Sequence, residues 1–358
     1  MSNREILQAL HIEELEPSPG YERLVRGRDE TTGLHALISI HSTKLGPAAG
    51  GCRMWAYPTL EDAIYDVERL SRGMTYKNAA ANLPLGGGKA VIIGDAKTLK
   101  SPELMRAFGY FVDYMAGNYY TAEDVGISPL DMQQAAENTA YVAGLETGEY
   151  ASGDPSPVTA RGVYLCLKEA VRTRLRKDGL QGVRIAVQGL GNVGMHLAQM
   201  LYTDGALLTV CDINADNVAY AVEHYGATEV APEDIYTVKA DVFAPCALGG
   251  VLSPEVIKNL NVSVIAGAAN NQLQSPECGA LLQQRDILYA PDYIVNGGGI
   301  VNVAMEILGI TDPAWGERRV QGLSETLRAV IAQAHTSDRA TNLVADELIA
   351  AKLEDKNV

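Results

Sequence analysis

Three side chains in the N-terminal half of the chain have the types and surroundings that proton-transfer chemistry needs. Lys77 lies in Gly-Met-Thr-Tyr-Lys-Asn-Ala, Lys89 ends Leu-Pro-Leu-Gly-Gly-Gly-Lys, and Asp124 lies in Thr-Ala-Glu-Asp-Val-Gly. A lone lysine is usually a solvated surface residue, but small or apolar residues flank both of these lysines. A buried lysine can lose its proton near neutral pH, and a neighbouring carboxylate can exchange protons with it. The sequence therefore predicts that the three side chains share a cleft.

A second group of residues has the pattern of a dinucleotide-binding turn. Residues 189–194 read Gly-Leu-Gly-Asn-Val-Gly after the strand-like Arg-Ile-Ala-Val-Gln, and the next predicted strand ends in Asp212. Such glycines allow a tight turn and the close approach of a pyrophosphate, which the N–H groups of the following helix bind. The acid accepts both ribose hydroxyls and repels the 2′-phosphate of NADP. We therefore expect NAD as the cofactor. The predicted binding residues of the turn are Gly189, Leu190, Gly191, Asn192, Val193, Gly194 and Asp212.

The apolar patterns around these residues predict two α/β domains. Helical spacing from Leu60 to Met74 follows a possible N-cap at Thr59, and a second helix is predicted over 102–115. The remaining predicted elements are strands at 35–41 and 90–93, glycine turns at 50–53 and 83–89, a domain boundary within 148–157, a helix over 158–174, strands at 207–211, 238–243, 262–266 and 287–290, and a helical tail over 319–353. Strands alternating with helices indicate parallel βαβ units.

Composition excludes several classes of function. The chain has 358 residues and a formal net charge of −15, which argues against nucleic acid or an anionic membrane as a partner. Its apolar stretches are too short to cross a bilayer, and it starts without an apolar signal core. Five cysteines without a CxxC or Cys/His ligand spacing predict neither a disulfide framework nor a bound metal. We expect a cytoplasmic protein.

Several motifs together resemble the glutamate/leucine/phenylalanine/valine dehydrogenase family. They occur in the family order over about residues 33 to 310, and the length suits the leucine, phenylalanine and tryptophan branch. The motifs are Lys-Leu-Gly-Pro-Ala-Ala-Gly-Gly-Cys-Arg, Gly-Met-Thr-Tyr-Lys, Pro-Leu-Gly-Gly-Gly-Lys-Ala-Val-Ile, Thr-Ala-Glu-Asp-Val-Gly, Ala-Val-Gln-Gly-Leu-Gly-Asn-Val-Gly, Ala-Gly-Ala-Ala-Asn-Asn-Gln-Leu and Ala-Pro-Asp-Tyr-Ile-Val-Asn-Gly-Gly-Gly. The first 30 or so residues match none of the family patterns.

The resemblance implies NAD-dependent oxidative deamination of an L-amino acid to a 2-oxo acid and ammonia. It implies that Lys77 holds the substrate carboxylate, that Lys89 activates the attacking water, and that Asp124 exchanges protons with the substrate nitrogen. Asn271 is expected near the substrate, with Asn270 and Thr159 near the cofactor. A non-catalytic dinucleotide-binding sensor is a remote alternative, because it would not need both lysines and Asp124.

The resemblance also implies which residues surround the substrate side chain. Besides Gly51, the predicted set is Ala49, Tyr120, Ala122, Ile300 and Val303. None of these side chains is charged, so an acidic substrate is disfavoured. Ala122 and the branched pair favour leucine, whereas Ala49 and Tyr120 resemble the phenylalanine enzymes. We expect branched aliphatic amino acids, leucine first, with phenylalanine or tryptophan as the alternative.

The predicted fold is an N-terminal α/β substrate and oligomerisation domain and a Rossmann-type doubly wound NAD-binding domain, with a cleft between them. We place the first domain at 1–146 and the second at 147–335. A C-terminal helix over 336–358 is expected to pack back on the first domain. The expected partners are small molecules and further copies of the chain, as a dimer or an octamer.

Overall fold

The computed structural model describes residues 9–148 and 151–354, and its contacts form two compact units. The first unit comprises the described residues up to Asp154 together with Asn302–Pro313. The second comprises Pro155–Val301 and Ala314–Glu354. The division after Asp154 lies beyond the predicted boundary at 146/147 and within the turn-forming stretch. Each unit is described separately below.

The first unit is built on a seven-stranded mixed sheet. Its elements are β1 (His11–Leu15), β2 (Arg23–Asp29), β3 (Leu34–Ser42), β4 (Ala48–Ala49), β5 (Cys52–Trp55), α1 (Leu60–Ala80), β6 (Gly86–Ile93), α2 (Pro102–Asp113), β7 (Tyr119–Tyr120) and α3 (Pro129–Ala136). The strand order is β1-β2-β3-β6-β4-β7, and β5 also pairs with β6. The β1–β2, β2–β3 and β3–β6 pairs are antiparallel, whereas β4 and β5 run parallel to β6.

Local sequence signals account for the helices of this unit. The Thr59 side chain accepts a hydrogen bond from the Asp62 N–H and caps α1, as predicted. Ala63 and Val67 on the inner face of α1 are completely buried. Ser101 caps α2 in the same way, and Pro102 occupies the first turn, where no N–H partner is required. The predicted helices and the strand at 35–41 are confirmed, whereas β1 and β2 were not predicted.

A glutamate explains why a short C-terminal segment belongs to the first unit. Glu306 lies in the helix α10 (Gly298–Ile307). Its carboxylate accepts hydrogen bonds from Gly144 N at 2.8 Å and from Ser152 Oγ at 2.6 Å. Asn302 Nδ2 donates to Ser152 O at 2.9 Å. These contacts attach the end of α10 to the chain just before the division between the units.

The second unit is a doubly wound parallel sheet, as predicted. Its elements are α4 (Ser156–Leu175), β8 (Arg184–Gln188), α5 (Asn192–Thr203), β9 (Leu207–Cys211), α6 (Ala215–Tyr225), β10 (Thr228–Glu229), β11 (Val242–Pro245), α7 (Pro254–Asn259), β12 (Val264–Ile265), α8 (Glu277–Gln284), β13 (Leu288–Tyr289), α9 (Asp292–Val295), the start of α10, α11 (Pro313–Ser337) and α12 (Thr341–Glu354). The strand order is β10-β9-β8-β11-β12-β13. The order reverses between β8 and β11, and ligands bind at such a switch point beyond the carboxyl ends of the strands.

The C-terminal helix packs on the second unit, so its predicted packing on the first domain is wrong. α12 contacts α8 and β13, and it buries Val344, Ala345 and Ile349. Thr341 Oγ1 donates to Tyr289 O at 2.6 Å, which fixes the start of the helix on β13. Residues 355–358 of the predicted helix lie outside the described residues. Within the described ranges, no helix is both long and apolar enough to cross a membrane.

Candidate active site

Lys89 and Asp124 form a close ion pair in the first unit. Lys89 Nζ lies 2.7 Å from Asp124 Oδ2, and the lysine side chain is 7% exposed. Lys89 belongs to β6, and Asp124 lies in the loop that follows β7. An amine and a carboxylate at this distance can pass a proton directly between them. The structure thus brings together the two residues that the sequence predicted to exchange protons.

Glycines in β6 let the surrounding elements approach Lys89. A Cβ at Gly87 would lie 2.1 Å from the backbone N of Thr75 in α1. A Cβ at Gly88 would lie 2.7 Å from the Tyr119 ring. Both glycines are strand residues and protein atoms fill the space beside them. The predicted glycine turn at 83–89 is therefore wrong: Gly86, Gly87 and Gly88 begin the strand β6 and allow its neighbours to pack closely against it.

The segment from Gly50 to Arg53 also differs from its prediction as a turn. It continues extended from β4 into β5, because Gly50 N donates to Tyr120 O at 3.1 Å and Cys52 N donates to Ala122 O at 2.7 Å. A Cβ at Gly51 would lie 2.5 Å from Glu123 O. Gly51 therefore allows the loop that carries Asp124 to lie directly against this segment.

The charges around Asp124 keep it ionised. Burial disfavours its carboxylate, but the nearby Lys89 and then Arg53 outweigh that effect, so the pKa of Asp124 lies below its ordinary value. Arg53 Nε donates to the same oxygen, Asp124 Oδ2, at 3.3 Å. The adjacent Glu123 behaves in the opposite way, since burial and then the nearby acids Asp154 and Glu146 raise its pKa.

The other predicted substrate residues of the first unit lie on nearby elements. Lys77 is half-buried in the last turn of α1, two residues after the Thr75 that contacts β6. Ala49 pairs with Tyr120 in the parallel β4–β7 ladder and is completely buried. The Tyr120 ring packs edge-on against Tyr141, with ring centroids 5.3 Å apart. Ala122 is half-buried, and Val303 is a half-buried residue of α10.

The glycine turn of the second unit has the geometry of a phosphate-binding site. Gly189 has φ of +95°, and a Cβ there would lie 2.8 Å from that of Ala247. A Cβ at Gly194 would lie 2.1 Å from Gly189 O, so α5 packs directly against the turn. Gly191 is the N-cap of α5 and provides no side-chain cap. No described atom lies within 4 Å of a Cβ built at Gly191, which leaves open space before the first N–H groups of α5.

Asp212 is tied to this turn. Its Oδ2 accepts the N–H of Leu190, and its Oδ1 accepts the N–H of Asn214 at 2.7 Å. Asn217 Nδ2 donates to Leu190 O at 3.0 Å and fixes the other side of the turn. The half-buried carboxylate thus lies at the carboxyl end of β9, where an adenosine ribose binds in such folds.

Two models of one protein family match most of the chain. Residues 22–141 match the Glu/Leu/Phe/Val dehydrogenase dimerisation domain. Residues 152–216 and 207–351 match the Glutamate/Leucine/Phenylalanine/Valine dehydrogenase model. The chain belongs to this family. It is therefore an amino-acid dehydrogenase with NAD as its cofactor, and the dimerisation model indicates that several copies assemble.

The chain is similar to members of the family that are named for three different substrates. The leucine dehydrogenase of Geobacillus stearothermophilus is 46% identical over 93% of this chain and 91% of its own length. The phenylalanine dehydrogenase of Bacillus thermotolerans is 43% identical, with 93% and 89% covered. The crystal structure of L-tryptophan dehydrogenase from Nostoc punctiforme superimposes with a TM-score of 0.84 at 40% identity, covering 93% of this chain and 96% of that one.

The cofactor residues predicted from the sequence fit NAD. The N–H groups at the start of α5, the open face of Gly191 and the acid at the end of β9 match a pyrophosphate and an adenosine ribose. Thr159 packs against Gly299, where a Cβ would lie 2.7 Å from its Oγ1. Ile300 follows on α10 and is nearly buried.

Sequence reasoning missed the residue that orients Asn270. Asn296 Nδ2 donates to Asn270 Oδ1 at 2.9 Å and to Ala268 O at 3.1 Å. Asn271 has φ of +51°, and its carbonyl accepts the Gly250 N–H at 2.7 Å. Asn296 begins the Asn-Gly-Gly-Gly stretch of a family motif, so its position was visible, but its partner could not be read from the sequence. Arg53, in another motif, was missed for the same reason.

Proposed function

We propose that this protein catalyses the reversible NAD-dependent oxidative deamination of an apolar L-amino acid, leucine first. The products are the 2-oxo acid, ammonia, NADH and a proton, and one water is consumed. The observation that carries the proposal is the 2.7 Å pair between the buried Lys89 and Asp124. A protein that only senses a dinucleotide would gain nothing from this pair, because a buried ion pair is weak as a stabilising device.

Each polar residue has a distinct role in the proposed reaction. Lys77 binds the substrate carboxylate with a lasting positive charge. A bound NAD would supply the acceptor for the hydride of the substrate Cα. Asp124, kept ionised by its neighbours, accepts the proton of the substrate nitrogen and later returns one to the departing ammonia. Lys89 assists the water that attacks the imino carbon. Gly51 lets the Asp124 loop approach the site, and Asn271 borders the substrate.

The cofactor residues act by position. The N–H groups of Asn192, Val193 and Gly194, which begin α5 after Gly189, Leu190 and Gly191, would hold the pyrophosphate. Asp212 would bind the ribose hydroxyls. Asn270, whose amide oxygen accepts a hydrogen bond from Asn296 Nδ2 at 2.9 Å, is held in place to border the nicotinamide. Thr159, which packs beside Gly299 near the start of the second unit, would lie next to the cofactor.

The proposed substrate side chain is aliphatic. The expected surroundings Ala49, Tyr120, Ala122, Ile300 and Val303 carry no charge, and an unpaired carboxylate buried among them would cost several kcal/mol. The identity of 46% with leucine dehydrogenases against 43% and 41% with phenylalanine and tryptophan enzymes favours leucine. Phenylalanine or tryptophan is the second candidate, since Tyr120 presents an aromatic ring.

The substrate proposal is tested with a panel of L-amino acids. NADH formation should give the highest kcat/KM with leucine, lower values with isoleucine, valine and methionine, and none with glutamate or aspartate. Because one methylene in an apolar pocket shifts preference only roughly 10- to 200-fold, phenylalanine and tryptophan should react detectably. A lead of more than about tenfold for either aromatic substrate would contradict the aliphatic proposal, and no NADH with any amino acid would contradict the activity.

The cofactor proposal predicts a strong preference for NAD over NADP. The Asp212 carboxylate, held by Leu190 and Asn214, repels a 2′-phosphate, so kcat/KM should be at least about tenfold higher with NAD. Asp212→Asn should narrow this ratio. Asp216→Asn, which removes an exposed charge from the first turn of α6, is the matched control and should leave the ratio unchanged. Equal use of both cofactors by the wild type would show that Asp212 does not face the ribose.

We also propose that identical copies assemble as a dimer or an octamer in the cytoplasm. The match to a dimerisation domain supports the assembly, and sedimentation equilibrium measures its size. The cytoplasmic location rests on the absence of a membrane-spanning helix in the described ranges and on the free cysteines.

A further inference from the structure

We propose that Arg53, held in place by Asp66, is a positioning residue for the Lys89–Asp124 pair. This inference rests on the proposed deamination, because it assigns Arg53 to the proton transfer of that reaction. Arg53 is in β5, and its side chain is 22% exposed. Its guanidinium lies between two carboxylates, one in the catalytic pair and one in α1. It touches neither substrate nor cofactor in this proposal and acts through Asp124.

The guanidinium restrains Asp124 through the oxygen that faces Lys89. Arg53 Nε donates to Asp124 Oδ2 at 3.3 Å, and Lys89 Nζ lies 2.7 Å from the same atom. Rotating the carboxylate to present its other oxygen to Lys89 would break both contacts. Arg53 therefore fixes which oxygen of Asp124 exchanges a proton with Lys89.

Asp66 prevents Arg53 from swinging away. Its Oδ2 accepts Arg53 Nη1 at 3.0 Å and the Tyr57 hydroxyl at 2.7 Å, and its Oδ1 accepts Arg69 Nη2 at 2.8 Å. Both oxygens of Asp66 are thus occupied from three directions. Burial disfavours the charged form, but the hydrogen bonds of Tyr57 and Arg69 and the charge of Arg53 lower the pKa of Asp66. A carboxylate so restrained holds the guanidinium between α1 and Asp124.

The permanent charge of Arg53 matters when Lys89 changes its protonation. The other groups facing Asp124 are Lys89 from β6, the neighbouring acid Glu123, and two buried neutral groups, Cys52 of β5 and Tyr119 of β7. When Lys89 releases its proton, Arg53 still places a positive charge on Asp124, because a guanidinium does not deprotonate in proteins. Arg53 therefore stops the proton from staying on Asp124 and leaves this carboxylate able to accept the next one.

The test is the pH dependence of kcat/KM for leucine in Arg53→Gln. Loss of the cation should raise the pKa of Asp124, so the acid limb of the profile should move to higher pH by roughly one unit. Asp66→Asn should move it in the same direction by less, because Arg53 stays but is no longer held. Arg53→Lys keeps the charge and loses the planar fork, so its kcat should fall while the limb stays within about 0.3 units of the wild type.

Arg106→Gln is the matched control. Arg106 is 20% exposed, lies in the same unit and also sits between two carboxylates, those of Glu103 and Glu137. The acid limb of the kcat/KM–pH profile of Arg106→Gln should coincide with that of the wild type. An Arg53→Gln enzyme that loses activity with its limb unmoved would reduce Arg53 to a structural role and overturn the inference. If Arg53→Gln does not fold, the test is the acid limb of the kcat/KM–pH profile in the other two variants. That limb should move to higher pH in Asp66→Asn and stay in place in Arg53→Lys. A wild type without amino-acid-dependent NADH formation would instead contradict the proposed function, which separates the two failures.

Discussion

Replacing Lys89 with alanine should lower turnover by at least about 100-fold, the usual contribution of one general base. The fold should survive, because Asp124 retains Arg53 at 3.3 Å and is not left as an uncompensated buried charge. NAD binding should also be retained, since the cofactor residues belong to the second unit. Steady-state kinetics with leucine and NAD-dependent quenching of protein fluorescence measure the two effects separately.

Lys100→Ala is the control for this substitution. Lys100 Nζ lies 2.7 Å from Asp131 Oδ2, the same distance as in the catalytic pair and in the same unit. Its loss should weaken the cap of α3 slightly without changing turnover per folded molecule. A Lys89→Ala enzyme with turnover similar to that of Lys100→Ala would remove Lys89 from the mechanism.

The sequence predicted the second unit better than the first because its signals are local. A strand, a glycine turn, a helix and an acid within 184–212 specify one βαβ geometry, and the structure reproduces it. One later strand was shifted: 238–243 was predicted, whereas β11 is Val242–Pro245. Which part of an apolar run joins the sheet depends on its register with a neighbour, here Val242 with Ile185, and the run itself does not encode that choice.

The first unit shows where long-range contacts override local patterns. β1 has the pattern His-Ile-Glu-Glu-Leu and lies at the edge of the sheet with none of its residues fully buried, so hydrophobicity barely distinguishes it from a loop. Gly86–Gly88 have the composition of a turn but form a strand. α1, β3 and Tyr119 occupy the space in which side chains at these positions would lie, so only glycine fits there. The C-terminal helix was wrongly assigned to the first domain, since its buried face does not identify its partner.

The residue types of the candidate site could be predicted from the sequence, but the contacts between some of their side chains could not. Lys89 and Asp124 stood in motifs with the right chemistry, and the structure joins them. The contact of Arg53 with Asp124 spans 71 positions of sequence. It arises because β5 lies alongside the Asp124 loop, with Cys52 bridged to Glu123 and the Met54 N–H donating to Val125 O at 2.9 Å. A motif shows that an arginine is present, whereas the sheet register determines which carboxylate it meets.

Replacing Asp124 with asparagine should have a second large effect, on both turnover and stability. Turnover should fall at least about 100-fold, because the amide cannot take a proton from the substrate nitrogen. Lys89, whose side chain is 7% exposed, would lose its anion. Breaking one side of a buried pair costs about 3–5 kcal/mol, so the free energy of unfolding at neutral pH should fall by about this amount.

The pH dependence of that stability loss identifies its cause. The folded protein lowers the pKa of Asp124, so the stabilisation is fully present above the ordinary aspartate pKa and is lost as the pH falls through the folded value. The difference in unfolding free energy between wild type and Asp124→Asn should therefore be largest at neutral pH and shrink in acid. Glu123→Gln, the adjacent half-buried acid, should leave turnover within about twofold of the wild type. A stability difference that stays constant from pH 7 to about pH 3 would show that packing, rather than the charge of Asp124, is what the substitution removed.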